Sequence, residues 1–151
     1  MIIREPMPAD HEQWLALWTS YNAFYGREGP TALAPEISET TWLRFADPEE
    51  PVHALVAEDD GKLLGLAHFL FHRSTISIAH SCYLQDLFTS PAARGRGVAS
   101  ALIDRVAQEA RRLGSQRLYW QTHEDNLRAR ALYDRIAERS GFIVYRRPLD
   151  P

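Results

Sequence analysis

The stretch Arg94-Gly95-Arg96-Gly97-Val98-Ala99, with Ser100 after it, has the residue types and spacing of an anion-binding loop. It lies between an apolar, strand-like run, Tyr83-Leu84-Gln85-Asp86-Leu87-Phe88, and a strongly periodic helix. Glycines at 95 and 97 let the main chain come close to a ligand, and the first N–H groups of a helix lack intrahelical partners and carry partial positive charge. Arg94 and Arg96 add two permanent cations, which favours a multiply charged phosphate over a carboxylate. The spacing excludes the two best-known phosphate loops. Positions 95, 97 and 100 read Gly, Gly and Ser, so the three-glycine dinucleotide fingerprint fails, and no Gly-Lys-Ser/Thr follows. Taken alone, the same six residues suit a tight strand-to-helix turn with solubilising arginines equally well.

A second cluster lies downstream: Tyr119-Trp120-Gln121-Thr122-His123-Glu124-Asp125-Asn126, then Leu127-Arg128-Ala129-Arg130-Ala131-Leu132-Tyr133. Together, Leu87-Phe88-Thr89, Arg94-x-x-Gly97-x-Ala99 and Asn126 followed seven residues later by Tyr133 resemble the GCN5-related N-acetyltransferases, the GNAT family. The resemblance spans roughly residues 50–147 with the motifs in order. The run Tyr119-Trp120-x-Thr122-x-Glu124-x-Asn126-x-Arg128-Ala129, with Phe142-Ile143-x-Tyr145, is similar to a branch that acetylates polyamines, free amino acids or protein lysines.

The resemblance implies acetyl-CoA as cosubstrate, its pyrophosphate on Arg94, Gly95, Arg96, Gly97, Val98, Ala99 and Ser100. It also implies that the pantetheine arm pairs like an extra strand with the main chain of Leu87, Phe88 and Thr89. Such main-chain donors lose no rotamer entropy on binding, and the Leu87 amide would stabilise the oxyanion as an amine attacks. Tyr133 becomes the general acid for the departing thiolate, since a phenol stays protonated at neutral pH. A core tyrosine would occupy the same helix face. Asn126 is either a helix cap or an anchor for the pantetheine amide, and the two roles are compatible.

An acceptor ammonium must lose a proton before it attacks, and Asp86 is the leading group to take it. Strand interiors disfavour Asp, so its place beside Leu84, Leu87 and Phe88 points to a satisfied buried carboxylate or an amine-binding one. Polyamine-acetylating members carry Glu-Asp where this chain has Gln85-Asp86. The resemblance places the acceptor pocket beneath the first two helices, which makes Trp18, Tyr21, Tyr25 and Glu28 its candidate lining, with core packing the plainer role for Trp18. Asp86 and Glu124 are the further candidate acceptor-binding residues. Glu124, His123 and His80 are weaker alternatives as the base. The activity implied is direct transfer of acetyl to a primary amine, without a covalent enzyme intermediate. A diamine or similar small cation is the first acceptor, a protein lysine, N-terminal amine or free amino acid the second. A non-catalytic acyl-CoA-binding module and a nucleotide-binding regulatory domain are the rivals. The resemblance also implies a homodimer.

The chain that must position these residues has 151 of them, the size of one domain, residues 1–151. The net charge of −3 hides an asymmetry: residues 1–71 hold 12 acidic and 4 basic side chains, residues 72–151 hold 8 and 13. That division suits an anionic cofactor on the basic half and a cationic acceptor on the acidic half, and it equally suits solvated surface charge. Arginines scattered rather than massed, with a pI near 6.1, disfavour nucleic acid. The apolar runs are too short to cross a bilayer and the N-terminus lacks a signal-peptide pattern, so a cytoplasmic location is expected. Cys82 is the single cysteine, read as a small buried hydrophobe, and the six histidines show no metal-ligand spacing.

Periodicity predicts a strand over 1–5, a helix opened by Asp10 carrying Trp14, Leu15, Leu17, Trp18 and Tyr21, a loop over 26–36 and a helix opened by Ser38. A strand over 52–57, a turn at Asp59-Asp60-Gly61-Lys62 and a strand over 63–71 read as a hairpin. A strand over 80–89 precedes the glycine loop. The next helix sets Ala99, Leu102, Ile103, Val106, Ala110 and Leu113 on one face and stops at Gly114. A strand over 116–122, a helix over 126–140 and a strand over 142–147 complete the order. This predicts an α+β or mixed α/β sheet with helices on both faces. It matches the GNAT fold, whose mostly antiparallel sheet has splayed central strands.

Overall fold

The computed structural model describes residues 1–150, which fall into two compact units, Met1–Trp120 and the described residues from Gln121 onward. The first unit is built on a five-stranded sheet in sequence order: β1 (Ile2–Arg4), β2 (Val52–Asp59), β3 (Lys62–His72), β4 (Ser81–Thr89) and β5 (Leu118–Tyr119). Pairing is antiparallel except between β4 and β5, which run parallel. The β2–β3 hairpin turns where predicted. Asp60 and Gly61 both take positive φ, 51° and 76°, the pair of left-handed residues that a two-residue turn matched to strand twist requires.

Helix α1 (His11–Phe24) lays Trp14, Leu17, Trp18 and Tyr21 on one sheet face against Val56, Leu66 and Phe88. Helix α2 (Pro35–Ala46) adds Trp42 and Phe45 to that cluster. Helix α3 (Val98–Arg112) buries Val98, Leu102, Ile103, Val106 and Ala110 on the opposite face. Successive strand residues point to opposite faces. Leu66 therefore meets α1, while its neighbour Gly65 meets α3 so closely that a Cβ there would lie 2.9 Å from Val98 and 2.5 Å from the Phe88 carbonyl oxygen.

Four elements differ from the sequence reading. Helix α2 begins at Pro35 rather than Ser38, because proline suits the first helical turn, where no N–H acceptor is needed. Ser38 is thus internal, and its hydroxyl accepts the Trp18 indole N–H at 3.1 Å. Strand β5 is two residues long rather than seven. In the second unit, α4 (Leu127–Ile136) stops four residues early, since Ala137 alone extends its apolar face before the polar run that ends at Gly141. Residues 142–147 form no strand. A strand exists only with a ladder partner, the described second unit contains no other strand, and Phe142, Ile143 and Tyr145 are exposed.

Candidate active site

The β3–β4 ladder carries the feature that shapes the site. Leu66 pairs with Phe88, Ala67 with Leu87 and His68 with Asp86, but Phe69 then pairs with Leu84, so Gln85 is an extra residue in β4. Such a bulge bends and twists its strand. On the other side of β4 the ladder to β5 contains only Cys82–Leu118 and Tyr83–Tyr119. From Leu84 to Thr89 β4 has no β5 partner. The Thr89 hydroxyl oxygen is buried without a hydrogen-bond partner.

After β4 the chain makes a 3₁₀ turn, Pro91–Ala93, and enters the glycine loop. Gly95 and Gly97 have φ of 77° and 76°, and a Cβ on either would meet nothing within 4 Å, so the space over the loop is open. Gly97 is the N-cap of α3 and supplies no side-chain cap, and the first helical bond runs from Ala101 N–H to the Gly97 carbonyl at 3.0 Å. The N–H groups of Val98, Ala99 and Ser100 therefore have no acceptor within the helix. Arg94 is exposed at the loop. Arg96 is tied to Asp59, which also accepts from the N-terminal ammonium, and the Arg96 guanidinium holds the Asp59 carboxyl below the usual carboxylate range.

On the α1 face, a buried polar chain crosses the aromatic core. The Trp14 indole nitrogen lies 3.0 Å from His68 Nε2, and His68 Nδ1 lies 3.0 Å from Asp86 Oδ2. The His68 ring is 3% exposed, with the rings of Trp18 and Phe45 centred 5.1 and 4.7 Å away. The Tyr21 phenol also faces Asp86. Burial first, and then the Asp86 charge and hydrogen bond, push its ionisation upward, whereas the Arg27 charge pulls it down. Asp86 Oδ2 thus has the His68 imidazole of β3 as its hydrogen-bond partner, with the Tyr21 phenol of α1 near enough to respond to its charge.

Tyr25 packs edge-on against Tyr21 at 5.1 Å, with the Arg27 guanidinium 5.6 Å from its ring centre. Glu28 is exposed where α1 gives way to the next 3₁₀ turn. In the second unit, Asn126 occupies the N-cap of α4, but its side chain accepts no helix N–H and instead donates to Thr122 Oγ1 at 3.2 Å. Glu124 is exposed, with its carbonyl bound by Arg130 at 2.7 Å, and Tyr133 is half-buried in the middle of α4. Cys82 is buried, which pushes its thiol up to about 12. Trp14 and His68 are the polar participants that the sequence reading missed. A histidine inside the apolar run 63–71 was the available signal, because a strand buries such a ring only with partners for both nitrogens. Among the described residues no group of three or more His, Cys, Asp or Glu could hold a metal ion, and no helix is long and apolar enough to cross a membrane.

Residues 14–137 match the sequence model of the acetyltransferase (GNAT) family. The chain belongs to that family. This GNAT protein is 33% identical over 149 residues to the D-amino-acid N-acetyltransferase HPA3 of Saccharomyces cerevisiae, an alignment covering 97% of this chain and 90% of that one. It is 28% identical over 147 residues to the N-acetyltransferase YhfO of Bacillus subtilis, covering 96% and 95%. The crystal structure of a probable acetyltransferase shares its fold with a TM-score of 0.84 at 24% identity, covering 100% and 99% of the two chains. The ribosomal-protein-alanine N-acetyltransferase of Brucella melitensis biovar Abortus 2308 shares it at 0.79 and 21%, covering 99% and 100%. The GNAT expectation for the fold, a mostly antiparallel mixed sheet with helices on both faces, therefore holds. Membership makes the chain an N-acetyltransferase, with acetyl-CoA as the acyl donor and an amine as the acceptor.

Proposed function

We propose that this GNAT enzyme acetylates the amino group of a free amino acid, with acetyl passing directly from acetyl-CoA in a ternary complex. The observation that carries the reading is the 33% identity, across nearly the whole chain, to a D-amino-acid N-acetyltransferase. A diamine was the first acceptor expected from the sequence, and the amino acid now takes its place.

The chain's own groups suit this reaction. The open, uncapped N–H groups at the start of α3, with Arg94 and Arg96 beside them, suit the cosubstrate's pyrophosphate. The β5 side of β4 at Leu87, Phe88 and Thr89, which lies outside the β4–β5 ladder, and the orphaned Thr89 hydroxyl suit its amide-bearing arm. Acetyl-CoA, when bound, supplies an acetyl group activated as a thioester. Asp86 holds the acceptor ammonium and takes its proton. By family spacing, Asn126 anchors the arm and Tyr133 Oη supplies the proton that the departing sulfur takes.

Two charges act on the Tyr21 phenol, Asp86 and Arg27, and an amino acid carries the complement of both. Asn22 accepts from Arg27 Nε at 2.7 Å, which leaves both terminal nitrogens of the guanidinium for a carboxylate. A small diamine is the second reading, favoured by the 12 acidic against 4 basic residues of the first 71.

The test is a panel of D- and L-amino acids, diamines and lysine peptides with acetyl-CoA, following free thiol release with a disulfide reagent. Cys82, buried and with its thiol pushed up to about 12, stays silent in that assay. Turnover of amino acids, with Arg27→Met shifting preference toward diamines, is the expected result. Turnover confined to diamines or peptides overturns the amino-acid reading.

A further inference from the structure

We infer that His68 is a positioning residue of this enzyme, acting through Asp86, and that Trp14 sets the form in which it acts. The inference rests on the reading of Asp86 as the carboxylate that meets the acceptor amine.

An indole N–H only donates. Trp14 Nε1, 3.0 Å from His68 Nε2, therefore requires a lone pair on that nitrogen, which places the ring hydrogen on Nδ1, 3.0 Å from Asp86 Oδ2. An imidazolium would set two N–H groups against each other at Trp14. The pair is thus a neutral donor on a carboxylate rather than two opposite charges. Asp86 keeps its full charge for an incoming ammonium while Oδ2 is pinned and the carboxylate cannot swing. Trp14, Trp18 and Phe45 wall the imidazole, so water does not compete for either nitrogen.

The β4 bulge makes this arrangement. With Phe69 opposite Leu84, an unbroken antiparallel register would put Gln85 opposite His68. The extra residue puts Asp86 there instead. Neutral amide and anionic carboxylate differ in what they offer an ammonium, so the register shift selects the residue with the charge.

Kinetics of the full-length enzyme with acetyl-CoA and an acceptor it turns over test this. His68→Leu, which removes the donor, should lower acceptor kcat/KM roughly 10- to 100-fold with the KM for acetyl-CoA unchanged. His68→Asn, which keeps an N–H in place of Nδ1, should recover part of that loss. In an Asp86→Asn background, His68→Leu should cost less than about twofold more, because the route is already cut. Imidazole ¹⁵N spectra should show His68 as the neutral Nδ1–H tautomer, and Trp14→Phe should mix the tautomers and lower acceptor kcat/KM several-fold. Should His68→Leu fail to fold, the spectra and Trp14→Phe decide.

Normal acceptor kinetics in folded His68→Leu, full additivity with Asp86→Asn, or an imidazolium in the wild type overturns the inference. If Asp86→Asn itself leaves acceptor kinetics unchanged, the reading of Asp86 fails first and the inference with it. That signature is distinct from one in which Asp86 matters and His68 does not.

Discussion

His68 of β3 stands opposite Asp86 of β4, and the next pair along, Phe69 with Leu84, passes over Gln85. Because side chains alternate along a strand, a one-residue insertion exchanges which of two neighbours faces the α1 core. Here it turns a carboxylate toward an imidazole in a cluster that is otherwise aromatic and aliphatic. The same strand leaves its β5 side unpaired beyond Tyr83. One irregular strand thus supplies both the half-buried acid and the open main chain that the proposed reaction uses.

Tyr133→Phe removes only a hydroxyl. If that hydroxyl protonates the departing sulfur, kcat should fall by roughly 100-fold. CoA affinity, measured by calorimetry, should stay within about twofold. Unchanged turnover would remove Tyr133 from the mechanism.

Gly97→Ala isolates the backbone contribution of the loop. The added methyl meets no atom within 4 Å, so the cost is that of holding an L-residue at φ 76°, about 1–2 kcal/mol. Relaxing that strain turns the first N–H groups of α3. Calorimetry should show CoA binding weakened about tenfold, while acceptor KM is retained.

Gly65→Ala is a packing test. A Cβ there would lie 2.5 Å from the Phe88 carbonyl oxygen and 2.9 Å from Val98 Cγ1, and backbone cannot yield as a flexible side chain can. Overpacking of this kind costs about 1–3 kcal/mol. The urea midpoint should drop at constant slope, which separates lost stability from a changed denatured state.

Asp10→Asn tests acid stability. Asp10 accepts two hydrogen bonds from Arg4, at 2.6 and 3.0 Å, and one from the Met7 N–H at 2.7 Å. The Arg4 guanidinium, against an opposing effect of burial, holds its carboxyl below the ordinary range. A carboxyl lowered by folding contributes stability that is complete above its unfolded pKa, near 3.9, and is lost as pH falls through the lower folded value. The variant should therefore be about 1–3 kcal/mol less stable at pH 7. Urea melts should show that gap narrowing as the pH falls below about 4 toward the lower folded value.

Much of this architecture was legible in the chain because its causes are local. Asp60-Gly61 is a turn wherever it stands between two apolar runs, and Leu102, Ile103, Val106 and Ala110 share one face of α3 whatever they pack against, although Val98 rather than Ala99 opens the buried stripe and Leu113 is exposed. The loop glycines take the left-handed conformations that glycine alone adopts freely. Asp86 was conspicuous as an acid in an apolar strand. The closing strand over 142–147 misled because a hydrophobic run supplies only half of a ladder. The short β5 misled likewise, since strand length is set by the neighbour's reach.

The sequence by itself determined the helices, the hairpin and the glycine loop, and with them the family, because each depends on residues within one or two turns of each other. Only the tertiary structure decided what Asp86 touches. The His68–Asp86 bond joins residues 18 apart and the Trp14–His68 bond residues 54 apart, across a register that one extra residue in β4 sets. Hydrogen-bond partners that distant are chosen by how strands align and helices pack, and no local spacing encodes them.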